Sequence, residues 1–265
     1  MAWKAKASEQ PARPAINPGI AAINMSLLRE IDPQRSLNVG GITPFSATDY
    51  PGKLATVVFV QGCPWRCHYC HNPHLQLRAT DAPLQWASVM DLLTRRAGLI
   101  DAIVFSGGEA TTDPALWKAV RDARSLGFDV GLHTGGAYPN RLENILPSVD
   151  WVGLDIKAPF EDYQRITDVP RSGEQAAASA DAILASGVNH EFRTTIHPSL
   201  LSEKKILDLA KALSRMGVKN YALQVFRAQG CCDKQLNAAS LAGYPSADLV
   251  QRVSDLFPQF TLRQG

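Results

Sequence analysis

Cysteine is scarce in this chain, and its placement decides how the rest is read. Five cysteines occur in 265 residues, too few and too unevenly spread for the disulfide framework of a small secreted domain. No apolar run approaches the roughly 20 residues that would span a bilayer, and the N-terminus lacks the uninterrupted apolar core of a secretory signal. Charge excess is missing as well. The 27 basic residues face 25 acidic ones for a net charge of +2, which leaves no electrostatic footprint for nucleic acid. No internal repeat of solenoid length is present. Clustered cysteines without an export signal point to a reducing cytoplasm and to metal binding.

The chain divides into a tail and a body. Residues 1–35 are dominated by Ala, Pro, Lys and Gln without periodicity and read as a disordered N-terminal tail; within it Met25 offers a second start. Residues 36–265 alternate short β-like runs with amphipathic helical stretches, the pattern of a parallel α/β fold. Strands are predicted at 54–60, 102–106, 128–133, 150–156, 190–196 and 220–226. Helices are predicted at 84–97, 114–126, 139–146, 174–186, 203–216 and 246–256. The helix at 114–126 is expected to start on Asp113 as N-cap with Pro114 at its first position. Six βα units are too few for a closed eight-stranded barrel, so a partial (β/α)6 TIM-like barrel is expected, with a flat doubly wound sheet as the competing arrangement.

What the chain does have is Cys63-Pro64-Trp65-Arg66-Cys67-His68-Tyr69-Cys70, directly after the first long apolar run. Three thiolates at C-x3-C-x2-C spacing can hold three irons of a cubane cluster and leave the fourth iron without a protein ligand. A structural zinc would need a fourth donor, and on spacing alone His68, His71 or His74 could provide it. Cys231 and Cys232 lie far along the chain and read as buried or idle thiols. Polar or glycine-rich clusters recur at the next strand ends: Ser106-Gly107-Gly108-Glu109, His133-Thr134-Gly135-Gly136 and Asp155-Ile156-Lys157, with Arg193 on the fifth strand. Catalytic groups gather at the C-terminal ends of strands in barrel-like α/β folds. Two residues without Cβ let backbone approach a ligand closely, and the carboxylate after them offers a counter-charge to an ammonium group.

The cysteine spacing, with an aromatic just before the last cysteine, resembles the signature of the radical S-adenosylmethionine superfamily. The stretches Gln61-Gly62-Cys63 and Cys70-His71-Asn72-Pro73 narrow the resemblance to the glycyl-radical-enzyme activating proteins, such as the pyruvate formate-lyase activase. Gly40-Gly41-Ile42-Thr43-Pro44-Phe45-Ser46 and Asp49-Tyr50-Pro51-Gly52-Lys53 look like the branch that activates anaerobic ribonucleoside-triphosphate reductase. The resemblance implies one [4Fe–4S] cluster on Cys63, Cys67 and Cys70. It also implies S-adenosylmethionine held by Tyr69 near the adenine, by Gly107, Gly108 and Glu109 at the methionine end, and by Thr134, Asp155, Lys157 and Arg193 near the carboxylate. The activase pattern has Asp-Thr-Asn-Gly where this chain has His133-Thr134-Gly135-Gly136, which argues against a bound alkali cation. His133 is expected instead to pair with the cofactor carboxylate or with Asp155.

The implied activity is reductive cleavage of S-adenosylmethionine to a 5′-deoxyadenosyl radical, which abstracts hydrogen from one backbone glycine of a partner enzyme. Flavodoxin or ferredoxin is the implied electron donor. Two alternatives stand beside it: a radical enzyme acting on a small molecule or on another glycyl radical enzyme, and a zinc-binding module without catalysis. Simpler roles remain open for single residues: Asp155 and Lys157 as an ion pair, Arg193 paired with Glu191, and Arg227 as an adenine contact or a surface residue.

Overall fold

The computed structural model describes residues 35–264, so all but Arg35 of the tail expected over 1–35 lies outside the described residues. Eight strands form one sheet whose spatial order follows chain order throughout. They are β1 (Val39–Ser46), β2 (Ala55–Val60), β3 (Ala102–Gly107), β4 (Asp129–Thr134), β5 (Trp151–Asp155), β6 (Asn189–Ile196), β7 (Asn220–Val225) and β8 (Gln259–Arg263). The β1–β2 pair is antiparallel, and every later pair is parallel. A doubly wound sheet reverses its strand order at a switch point; this one never does, and β1 is not paired with β8. The result is an open, partial barrel.

All six predicted strands are present within a residue or so at each end, and two flanking strands were missed. The β1 segment carries Gly40, Gly41 and Pro44, which read as a loop and are tolerated because the strand lies at an edge of the sheet. The second missed strand, β8, spans only five residues.

Helices α1 (Trp86–Arg96), α2 (Leu116–Ser125), α3 (Pro139–Ile145), α5 (Ser172–Ser186), α6 (Glu203–Arg215) and α8 (Ala247–Ser254) fall where periodicity placed them. Short helices α4 (Tyr163–Thr167) and α7 (Lys234–Ala238) were not foreseen. On α2 the buried residues Leu116, Ala119, Val120 and Ala123 recur at helical spacing and face the sheet. This helix starts two residues later than its expected proline start. Asp113 is fully buried and accepts from the Ala115 and Asn38 amides at 3.0 Å, with Arg78 as its ion-pair partner at 3.0 Å. It pins the chain before the helix rather than capping its first turn.

Alternation along the strands separates two cores. Val58, Val60, Ile103 and Phe105 pack outward under the helices, whereas Val57, Ala102, Val104, Tyr50 and Trp151 form a second cluster on the inner face. The β1–β2 turn folds into this inner space. Tyr50 lies 5.5 Å from Trp151 between ring centroids, and Lys53 pairs with Asp129. That plug gives the barrel a floor and leaves the strands' C-terminal ends to form its mouth.

Candidate active site

The cysteine loop leaves β2 at the mouth and is fixed by backbone on two sides. Gly62 and Cys63 amides donate to the Leu75 and Gln76 carbonyls at 2.8 and 3.0 Å, and the Arg66 amide donates to Thr167 at the end of α4 at 2.8 Å. Cys63, Cys67 and Cys70 are all free and half-buried. They line one cavity together with Tyr69, Gly107, Gly108, Glu109, Thr134, Asp155 and Lys157; it holds about 900 Å³ of empty space, part of it open to solvent. Of the residues singled out from sequence, Arg193 alone stays outside the cavity wall and reaches it through Asp155.

Glycines dock β3 onto the cysteine loop. A Cβ on Gly107 would sit 2.3 Å from the Val60 carbonyl oxygen, and one on Gly108 would sit 2.5 Å from that of Gly62. Gly107 also has φ +126°, a conformation that side chains rarely adopt. The sequence reading assigned the missing Cβ atoms to ligand approach; the structure uses them to bring two strand ends together. The Glu109 amide completes the junction by donating to the Gly62 carbonyl at 2.8 Å.

Glu109 is buried, and its carboxylate is held from several sides. It accepts from the Thr111 amide and hydroxyl at 3.1 and 2.6 Å, from the Thr134 hydroxyl at 2.8 Å and from the Gly135 amide at 2.9 Å. Thr134 thus orients Glu109, a role that neither turn chemistry nor contact with a carboxylate had suggested. Gly135 lets Trp65 pack against the backbone: a Cβ there would lie 2.7 Å from the indole ring. Trp65 is itself buried edge-on against Tyr163 at 5.8 Å.

Lys157 places its ammonium over Trp65 and Tyr69, 5.8 and 5.7 Å from the ring centroids. Burial works against that charge, but Tyr69, Cys67 and Asp155 around it raise Lys157 well above the ordinary lysine value. The thiols respond in the opposite sense. Burial first, then the Glu109 carboxylate, pushes Cys63 up to about 12, and burial also raises Cys67. Thiolates here need a cation beside them.

Asp155 pairs with Arg193, whose Nε donates to Oδ1 at 2.9 Å. Neither the Asp155–Lys157 nor the Arg193–Glu191 ion pair is formed, because Glu191 takes Arg263 of β8 at 2.8 Å. Burial and then the Arg193 charge lower His133 to about 4, so the ring is neutral at pH 7 and its Nε2–H donates to the Asp49 carbonyl at 2.8 Å. That hydrogen leaves Nε2 unable to accept from Arg193 at 3.3 Å, which is contact only. The expected His133–Asp155 pairing is therefore replaced by a bond to the floor plug.

A pH dependence follows. The unfolded histidine takes up its proton near pH 6.5 and the folded one only near about 4, so stability contributed by the neutral ring is lost as pH falls through that window. Between pH 7 and 5 the loss attributable to His133 is about 2 kcal/mol, at 1.36 kcal/mol per pH unit. Urea unfolding at the two pH values should show a drop smaller by that amount in His133→Gln.

The three histidines near the loop do not close a zinc site. His68 and His74 are exposed, while His71 lies 2.9 Å from the Arg227 carbonyl through Nε2 and stacks on Phe226. Among the described residues no three His, Cys, Asp or Glu side chains converge tightly enough to grip one ion. Such a donor set suits a larger group of which each thiolate takes a separate corner. Arg227 is exposed. Cys231 is buried with its thiol 3.7 Å from the His68 carbonyl, and Cys232 is exposed.

Comparison with known proteins agrees with this architecture. A model of the radical SAM superfamily matches residues 57–213. A Methanocaldococcus jannaschii protein, named for glycyl-radical enzyme activation, is 31% identical over 205 residues, covering 74% of this chain and 83% of its own. The pyruvate formate-lyase-activating enzyme of Clostridium pasteurianum is 32% identical over 173 residues, which is 63% of this chain and 71% of its own. The solved structure of Streptococcus suis SuiB bound to its precursor peptide SuiA covers 78% of this chain at a TM-score of 0.62 and 13% identity. This chain spans about half of SuiB, 48%, and the likeness concerns the fold alone. The chain belongs to the radical SAM superfamily and, within it, to the glycyl-radical-enzyme activating proteins. Membership implies a [4Fe–4S] cluster and S-adenosylmethionine, and the three free thiols and the cavity beside them fit both. No described helix is long and apolar enough to cross a membrane.

Proposed function

We propose that this enzyme places a glycyl radical on anaerobic ribonucleoside-triphosphate reductase in a reducing cytoplasm, using electrons from flavodoxin or ferredoxin. The observation that carries the reading is the convergence of Cys63, Cys67, Cys70, Glu109, Asp155 and Lys157 on one cavity at the barrel mouth. The choice of reductase rests on the β1 stretch Gly40–Ser46 and on Asp49–Lys53, the latter now seen as the barrel floor.

Each residue then has a task. Cys63, Cys67 and Cys70 hold the cluster, and the Lys157 ammonium balances its negative charge. When bound, the reduced cluster supplies one electron to the sulfonium of S-adenosylmethionine, giving methionine and a 5′-deoxyadenosyl radical. Glu109 offers its carboxylate to the cofactor's ammonium, with Thr134 and the Gly135 amide holding it in place. Tyr69 and the backbone of Gly107 and Gly108 wall the cavity. Arg193 acts behind the wall by fixing Asp155, and Trp65 excludes water. No proton-transfer dyad is required.

Thr134→Val removes one of Glu109's supports and is expected to raise the S-adenosylmethionine Kd about tenfold, the scale of one hydrogen bond to a charged group. Equilibrium binding to the reconstituted protein measures it. The function itself is tested by anaerobic incubation with dithionite, S-adenosylmethionine and either purified anaerobic ribonucleotide reductase or pyruvate formate-lyase. A glycyl-radical resonance with the reductase supports the proposal. A resonance with the lyase alone reassigns the partner, and none with either removes the activase reading.

A further inference from the structure

The residues that match the cofactor signature occupy the β2–β5 side of the cavity, but the cavity continues across β6 and β7. There it is lined by Thr195 and Gln224, which no motif had singled out. The two are direct partners in the β6–β7 register, one row above Arg193 and Ala222. Thr195 shares the inner face with Arg193 by strand alternation. In the same row on β8 stands Arg263, opposite Gln224. Its guanidinium folds away to a two-point pair with Glu191, at 2.8 and 2.9 Å, so its charge is consumed below the mouth. Above that pair the wall presents a hydroxyl and a carboxamide, neither bonded to another described residue.

This half of the cavity is therefore neutral, polar and unsatisfied. A charged small molecule would find no counter-ion on it. A peptide bond would find a match, since a glutamine amide both donates and accepts and a threonine hydroxyl does either. We propose that Thr195 and Gln224 form a dock for the backbone amides flanking the target glycine, presenting its Cα–H toward the cofactor half of the cavity. The proposal rests on the activase reading and names how its protein substrate is held. Recognition through backbone also suits a glycine, which has no side chain to grip.

The probe is the blocked peptide Ac-Ala-Ala-Gly-Ala-Ala-NH2 and its analogue N-methylated at the residue after glycine. Calorimetric titration into reconstituted, S-adenosylmethionine-bound holoenzyme gives peptide affinity, and a separate titration gives cofactor affinity. Gln224→Leu is expected to weaken the peptide five- to tenfold, the scale of one neutral hydrogen bond. Thr195→Val should weaken it by a similar factor. Both variants should leave S-adenosylmethionine affinity within twofold. The N-methylated peptide should bind weakly to the wild type and no worse to the variant whose bond it lacks.

Loss of cofactor affinity with peptide binding intact would make the pair part of the cofactor site and overturn the proposal. So would unchanged affinity for both ligands. A glycine-deuterated probe keeps the two readings separable. Wild-type enzyme that binds the peptide but moves no deuterium into 5′-deoxyadenosine counts against the activase reading and not against the dock. No peptide binding at all overturns the dock, whatever reductase activation shows.

Discussion

Cys67→Ala is expected to abolish cluster retention and, with it, cleavage of S-adenosylmethionine by several orders of magnitude. Two remaining thiolates cannot hold a cubane that needs three corners tied to protein. The fold should survive, because the loop around Cys67 is fixed by backbone bonds that do not involve its sulfur. Arg66 and His68 amides donate to Thr167 and Ile166 carbonyls at 2.8 and 3.2 Å. Cys232→Ala is the matched control, since that thiol is exposed and should leave iron and sulfide content unchanged. Iron and sulfide analysis after anaerobic reconstitution, with circular dichroism for folding, separates the outcomes. A brown, fully loaded Cys67→Ala protein would contradict the ligand assignment.

The second large effect is steric and needs no cofactor to be seen. Gly107→Ala forces a Cβ to within 2.3 Å of the Val60 oxygen and 2.4 Å of the Val60 nitrogen. Both are backbone atoms of the neighbouring strand, so no side chain can swing aside. The residue must also hold φ +126°, which only glycine does readily. Overpacking and backbone strain together put the cost at about 3 kcal/mol. Because the strain falls where β3 meets the cysteine loop, cluster uptake should fail before global folding does. Chemical denaturation of the cluster-free protein reads the first effect, and reconstitution yield reads the second. Gly41→Ala makes the contrast: its Cβ would meet nothing within 4 Å, and it should cost well under 1 kcal/mol beyond its strand preference.

What could be read in advance depended on whether the signal was local. The six parallel strands carry short apolar runs buried on both faces, such as Ala55–Val60, and such runs announce themselves. The β1 strand hid behind Gly40, Gly41 and Pro44. The cysteine triplet was legible because its chemistry is written in spacing alone. Glu109 was legible as a carboxylate at a strand end, but its support by Thr134 spans 25 residues and exists only once β3 and β4 lie side by side. The floor plug is of the same kind. Asp49 and His133 are 84 residues apart, and burial at that contact turned a histidine expected to carry charge into a neutral donor. Thr195 and Gln224 meet only through the register of β6 and β7, which no periodicity encodes.

The account stands or falls on anaerobic reconstitution with iron and sulfide, reduction by dithionite, and chromatographic measurement of 5′-deoxyadenosine formed from S-adenosylmethionine. The expected result is 5′-deoxyadenosine from the wild-type protein and none from Cys67→Ala. A protein that retains zinc, shows no iron–sulfur absorption and yields no 5′-deoxyadenosine would contradict the account and return Cys63, Cys67 and Cys70 to a structural role.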